Sequence, residues 1–424
     1  MNTSSSNRGS HDLPGLGERA VTVLLLLLST SAFMCLVTVQ GEQSEDSSIL
    51  GKLLMGLINL TTILLLTRHC ALWSTIWRGR WVIGLVSLAV LSAFWSVDPG
   101  LSFRKAILVA GSTLFGLYFA SRYPLSEQIR LLARMCWISM VCSLVFGLLG
   151  LGQSIDGAVG WYGIYTQKNI LGKFAVLSVL TFWYWAKTDA RAKWAARAGV
   201  LLSLVLIYLS DSMTAMMLLP FLFGLQILLR AFRHGRRLGV PVLGVAGVLG
   251  VAGIRWVFTH AQAAADAVGR NITLTGRVTV WILSVFMALQ RPWFGYGYFA
   301  FWAGMKGPSS RILVALNYGM PHAHNGFIDI WLALGLVGVA VFAIGFITYL
   351  RQAFSFLDWR SPDSWWPLTC LTFIFLYNLT DSNLLVPNAL FWVLYTATAF
   401  TVSAQSESSP VGLPLGGHQI AYGR

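Results

Sequence analysis

The chain has 424 residues, of which 56% are hydrophobic and 11% charged, and a formal net charge of +14. A soluble domain carries about a quarter charged residues, so the composition excludes a water-soluble globular protein and makes lipid the solvent. The positive charge does not mark a nucleic-acid binder, because the bases sit in short clusters between apolar runs rather than on one solvated face. Cys35, Cys70, Cys136, Cys142 and Cys370 form no C-x-x-C pair and have no His at ligand spacing, so they read as small core residues.

Residues 1–20 read as a mobile cytoplasmic end. Arg8 and Arg19 before the apolar run from Val21 imitate a secretory signal, but no small-residue cleavage site follows, and the run reads as an uncleaved first helix. A membrane helix needs roughly 20 apolar residues. Runs of this kind fall at 21–39, 50–67, 80–96, 104–121, 131–151, 170–186, 197–210, 212–230, 239–258, 325–350, 366–381 and 386–404. The prediction is an all-α, polytopic membrane bundle of about twelve transmembrane helices, nine within 21–258 and three within 325–404. Ser210-Asp211-Ser212 leaves almost no loop between two of these spans. Residues 259–324 form the single large loop, in which Thr275 to Gln290 is helical and too apolar for water. That helix is expected on the membrane surface or against the bundle, ended by Pro292, Gly295 and Gly297. Residues 405–424 read as a mobile cytoplasmic tail.

Lys and Arg collect on the cytoplasmic side of short loops. With the N-terminus inside, the clusters Arg68 to Arg80, Arg122 to Arg134, Lys187 to Arg197, Arg230 to Arg237 and Arg351 to Arg360 all fall in the cytoplasm. The opposite connections are acidic or neutral, with Glu42, Glu45, Asp46, Asp98, Asp156 and Asp381. Treating 197–230 as one span would reverse everything after it and turn Arg230 to Arg237 outward, so the charge pattern supports two. The 259–324 loop then lies outside the cytoplasm.

Basic residues on that side are not explained by topology, and charge near the bilayer is costly enough to suggest a role. They are Lys52, Arg104, Lys105, Lys168, Lys173, Arg255, Arg270, Arg277, Arg291, Lys306 and Arg311. Lys168-Asn169 stands at a helix mouth, where free backbone N–H groups favour an anion, although a lone Lys also snorkels to headgroups. Arg277 opens the loop helix, where its charge opposes the helix dipole, and a phosphate gripped by its planar fork would compensate. The plainer reading pairs it with Asp266 or Asp329. Arg291 before Pro292 reads chiefly as a cap on that helix's end. His322 and His324 flank Ala323 before Asn325; histidine can act as general base toward a sugar hydroxyl, with Asn325 orienting a ring nitrogen or a substrate oxygen. The plainer reading is a hydrogen-bonded structural histidine. Histidines at i and i+2 share no helical face, and no nearby acid or Cys completes a ligand set, so no metal is expected. Walker A, H-E-x-x-H and G-x-S-x-G motifs are absent, so any reaction runs on an already activated substrate such as a lipid-linked diphosphate sugar.

Trp95-Ser96-Val97-Asp98-Pro99 with Ser102 and Arg104, Lys168-Asn169, Thr275-Gly276-Arg277 with Trp281, Arg291-Pro292 with Gly295-Tyr296-Gly297, and His324-Asn325-Gly326 with Leu334 to Gly338 occur in that order. This series resembles the O-antigen ligase and Wzy-type polysaccharide polymerase superfamily, and within it the ExoQ kind, over about residues 80–400. The resemblance implies a GT-C-like, metal-independent, inverting glycosyltransferase with no cofactor. Its donor would be an undecaprenyl-diphosphate glycan, and a chain-length regulator a possible partner. The acceptor would be a second lipid-linked repeat for a polymerase or lipid A-core for a ligase, of which the polymerase is favoured. By the same resemblance His324 matches the base and Arg277 the diphosphate-binding residue. Lys168, Asn169, His322, Asn325 and Arg291 are secondary candidates, and Arg104 and Lys105 are candidates by location alone. A transporter, the reading from a different class, should show related halves, and none is visible.

Overall fold

The computed structural model describes residues 14–34, 56, 59–66, 77–153, 160–233, 277–316, 320–358 and 360–408. The expected span 239–258, Lys52, Arg255, Asp266 and Arg270 lie outside the described residues. In chain order the helices are α1 (Leu16–Leu28), α2 (Arg80–Leu91), α3 (Pro99–Arg122), α4 (Leu125–Leu148), α5 (Lys168–Thr188) and α6 (Lys193–Ser210). There follow α7 (Met213–Arg233), α8 (Arg277–Gln290), α9 (Ser310–Leu316), α10 (Gly326–Ser355), α11 (Trp366–Tyr377) and α12 (Leu390–Ser408). No strand forms among the described residues beyond one bridge, between Gln153 and Trp161. Among the described residues five helices are long and apolar enough to cross a membrane, and the protein is an all-α membrane protein.

Asp211 explains why 197–230 is two helices: it adopts the left-handed conformation (φ 50, ψ 34) at the end of α6, a state short polar residues tolerate best. The first helix differs from its expected range, running from Leu16 to Leu28 rather than 21–39. The hydroxyls of Ser29 and Thr30 turn back onto Leu25 and Leu27 carbonyls, and the backbone leaves the helix to bond with α12 and with Ile164.

The core is made by α5 against α4 and α6, α3 against α12, and α10 against α2 and α8. At one end of the bundle, charges from four helices meet. Arg122 forks both oxygens of Glu18 at 2.7 and 3.0 Å, while Glu127 pairs with Arg19 and Arg130, and Arg130 reaches Asp189. A bidentate pair of this kind fixes helix ends where isolated lysines would not.

The opposite end carries the candidate residues, and it is assembled around a break in α10. Gly335 has φ 69 and ψ −170, a conformation practically restricted to glycine. The break separates an N-terminal segment, 326–334, from a segment of about 20 residues, 336–355, which is long enough to span the hydrocarbon. The expected span at 325–350 coincides with the candidate span Gly326–Ser355, but apolar composition does not reveal that the helix breaks within it. Backbone groups freed there are taken up by the loop after α8: Leu336 and Val337 N–H donate to Pro292 and Trp293 carbonyls, and Tyr296 and Gly297 N–H donate to Leu332 and Ala333. Close approach demands glycine on both sides, since a Cβ on Gly335 would lie 2.1 Å from the Trp293 carbonyl carbon and one on Gly295 2.5 Å from the Leu332 oxygen.

The Trp95–Asp98 segment seats the same loop. Trp95 Nε1 donates to the Phe294 carbonyl, Val97 N–H to that of Tyr296, and Ser102 Oγ to that of Tyr298. Asp98 caps α3 by accepting from Leu101 N–H. Three of the sequence motifs are therefore one piece of architecture. Gly335→Ala is expected to cost on the order of 3 kcal/mol and to lower the melting temperature and yield of detergent-solubilised protein. Gly84→Ala, whose new methyl would meet only a Val341 carbon at 3.9 Å, should be near neutral in the same assay.

Candidate active site

The α8 helix buries Val280, Ser284, Met287 and Ala288, an i, i+4, i+7, i+8 stripe, and exposes Ile282, Phe286 and Leu289 on its other face. Apolar on both sides, it packs on α10. Its first residue, Arg277, donates through Nη1 to the Thr380 carbonyl at 2.7 Å. The expected alternative pairing with Asp329 does not form. Asp329 instead accepts from Ala323 N–H and Trp302 Nε1 and from the Ser382 hydroxyl, so it ties the histidine loop to the turn after α11.

That turn is clasped from several directions. Asn378 Oδ1 accepts from Asn383 and Leu384 N–H, Gly326 N–H donates to the Asn378 and Asp381 carbonyls, and Asn325 Nδ2 donates to Leu379. Asn325 also caps α10, accepting from Phe327 and Ile328 N–H at 3.1 and 3.2 Å. Its side chain is thus committed to the fold, not to a ring nitrogen.

The clasp holds Asp381 beside the histidines. Asp381 Oδ1 stands 3.9 Å from His324 Nδ1, and Oδ2 accepts from Asn383 Nδ2 at 2.9 Å and faces Lys173 Nζ at 3.5 Å. His324 Nδ1 is buried and, among the described residues, has no partner at hydrogen-bonding distance. The residue is left-handed (φ 54), a conformation that costs a non-glycine residue roughly 1 kcal/mol. His322 stabilises it, its Nδ1 accepting the His324 N–H at 3.2 Å with the rings edge to face, 4.2 Å between centroids. Burial, reinforced by the neighbouring His324, pushes His322 down to about 4, so near neutrality it is the uncharged acceptor this contact requires. For Asp381, burial is the largest single influence and would raise the carboxyl, but the Lys173 ammonium, His324, His322 and Asn383 together outweigh it and hold Asp381 well below the usual carboxylate range.

The expectation that no acid accompanies the histidines is corrected here, because Asp381 arrives from a turn more than fifty residues away. Ligand atoms of His322, His324 and Asp381 lie within 4.8 Å of one another. The group fits a metal poorly: His322 Nδ1 is occupied by a backbone N–H, and Lys173 already neutralises the carboxylate.

The secondary candidates divide. Lys168 opens α5 and pairs with Asp211 at 3.2 Å, while Asn169 accepts from Ser212 Oγ and its carbonyl accepts from Tyr377. Tyr377 also lies 5.6 Å from Lys173 Nζ, so this helix mouth borders the cluster. Arg104 bonds back to the Gly100 carbonyl, and Lys105 is buried over the Phe299 ring. Arg291 lies over Tyr296 at the far end of α8 from Arg277, beside the loop seated in α10. None of these three makes a described contact with His324. The residues that sequence reasoning left without a role are Lys173 and Asp381. An acid and a base beside otherwise apolar spans were the available signal.

A family profile described as O-antigen ligase matches residues 198–343, a stretch that includes Arg277 and His324. The chain is also 24% identical over 359 residues, 81% of its length and 82% of the relative's, to the exopolysaccharide production protein ExoQ of Rhizobium meliloti (strain 1021). The chain is thus similar to the O-antigen ligase and ExoQ-like family. The resemblance read from the motifs therefore holds, and the protein is a membrane enzyme of the O-antigen ligase and polymerase type. In this chain the motifs 95–99, 291–297 and 334–338 build the support, and those at 277 and 324 meet on it beside Asp381 and Lys173.

Proposed function

We propose that this enzyme polymerises undecaprenyl-diphosphate-linked oligosaccharide repeats at the periplasmic face of the inner membrane. The observation that carries the reading is that Arg277, His324, Asp381 and Lys173, from four distant segments, converge at one end of an apolar bundle. Both termini lie in the cytoplasm in this reading, and about twelve helices cross the bilayer.

The chemistry is a single displacement. An acceptor hydroxyl attacks the anomeric carbon, its proton passes to His324 Nε2, the new C–O bond forms with inversion, and the bond from that carbon to the diphosphate oxygen breaks. Asp381 lies on the Nδ1 side and stabilises the imidazolium. Undecaprenyl diphosphate leaves with the bonding electrons, and Arg277, with Lys168 at the neighbouring helix mouth, stabilises its charge. Arg277 uses Nη1 on Thr380, which leaves Nε and Nη2 for phosphate oxygens. Lipid-linked glycans serve as donor and acceptor, and a chain-length regulator is a fitting partner.

Ligation to lipid A-core uses the same donor and the same residues. Polymerisation is favoured because the ExoQ likeness covers 81% of the chain, whereas the ligase profile covers 198–343. Reconstitution in vesicles with lipid-linked repeats alone, and then with lipid A-core added, decides between them. A ladder from repeats alone is expected, and product only with the core would establish ligation instead. EDTA is expected to leave the turnover of the reconstituted enzyme intact. Loss of turnover, restored by a divalent ion, would make the His322, His324 and Asp381 group a metal centre after all.

A further inference from the structure

Lys173 is an unusual residue for its surroundings. It lies on α5 five residues beyond Lys168, is almost fully buried, and has Phe174, Tyr377 and Phe391 rings 5.4 to 5.6 Å from its ammonium. A buried ammonium persists only where it is paired and hydrogen-bonded. Its Nζ donates to Asn383 Oδ1 at 2.6 Å and faces Asp381 Oδ2 at 3.5 Å, and Asn383 Nδ2 bonds that same oxygen. The two oxygens of Asp381 are thereby divided, Oδ2 to Lys173 and Asn383, and Oδ1 toward His324.

We infer that Lys173 is a positioning residue for the glycan-joining reaction, fixing Asp381 so that one oxygen is held ready for the imidazolium of His324. The inference rests on the proposed function above. Four observations bear on the charge of Asp381. Lys173 faces it from α5, His322 and His324 from the loop before α10, and Tyr377 from α11, while Arg277 of α8 spends its near donor on Thr380. Burial alone pushes Asp381 toward the neutral acid, and the Lys173 charge is the largest influence opposing it. Without that charge the carboxyl takes up a proton closer to neutrality, and a neutral acid offers His324 no countercharge. Lys173 acts through Asp381, whereas Lys168, less buried, pairs with Asp211 at the helix mouth.

The test uses full-length protein in vesicles, with lipid-linked repeats extracted from a strain lacking this gene as the probe. Native protein, Lys173→Met, Lys173→Arg, Asp381→Asn, the double variant and His324→Asn are compared from about pH 5 to 9. Lys173→Met is expected to lower kcat about 100-fold, leave the donor KM within about threefold, and add an acid limb to the rate profile that is absent from the native protein. Lys173→Arg should restore most of the rate and remove that limb. Because the two residues act in series, Lys173→Met with Asp381→Asn should be no slower than Asp381→Asn alone. This pair also keeps the test decisive if the single Met variant misfolds, since the double variant buries no unpaired charge. A near-native Lys173→Met, a raised donor KM with no new limb, or additive losses in the double variant would each overturn the inference. If native protein and His324→Asn behave alike, the proposed function itself fails, and the inference with it.

Discussion

His324→Asn is expected to leave the protein folded in the membrane and to lower glycan joining by about 10²–10⁴-fold, the range a general base contributes. Asparagine is the informative replacement because position 324 is left-handed, and Asn tolerates that conformation while offering no ring nitrogen to accept the acceptor's proton. The backbone N–H of residue 324 can still donate to His322 Nδ1, and Asp329 still holds Ala323, so the loop keeps its anchors. Helix content and the melting temperature of the purified variant should therefore match the native protein while polymer disappears. Polymer of normal length and amount from His324→Asn would remove the histidine from the mechanism.

The second large effect is at Arg277. Arg277→Ala is expected to reduce turnover about 10²–10³-fold, as the removal of one preorganised donor to developing charge does. Arg277→Lys is expected to recover little of it, because an ammonium reaching Thr380 has no planar fork left for the diphosphate. Initial rates with lipid-linked repeats, read as kcat and KM separately, distinguish the cases. A Lys variant at native rate would reduce Arg277 to a diffuse positive charge. A loss confined to the folded yield of Arg277→Ala would make its bond to Thr380 the whole of its role.

Some of this site was legible without coordinates. His324 and Arg277 read as residues that topology does not require, the helix expected over 275–290 and the turn glycines 295 and 297 follow from local rules, and the division at Ser210-Asp211-Ser212 follows from the charge pattern. What was missed came from contacts between distant segments. Asp381 reads as one more acidic loop residue and Lys173 as one more base at a helix mouth, and no periodicity brings them to each other or to His324. Asn325 reads as a substrate ligand, yet the free N–H groups at the start of α10 claim its side chain. Arg104, Lys105 and Arg291 entered by location along the chain, and folding directs each to a partner of its own.

Composition and run length alone decide that the chain lives in lipid as a helical bundle, because burying uninterrupted apolar segments of that length leaves no other backbone arrangement with its hydrogen bonds satisfied. Local chemistry decides a few helix ends, such as the start of α3, where Asp98 caps and Pro99 follows. Only the tertiary structure decides that Gly335 breaks α10, that the 291–297 loop fills the break, and that Lys173, Asp381 and His324 line up. Those outcomes depend on which of many apolar faces pack together. Apolar faces in lipid are nearly interchangeable in composition, and their packing is chosen by close approach and by a few buried polar groups that must find partners.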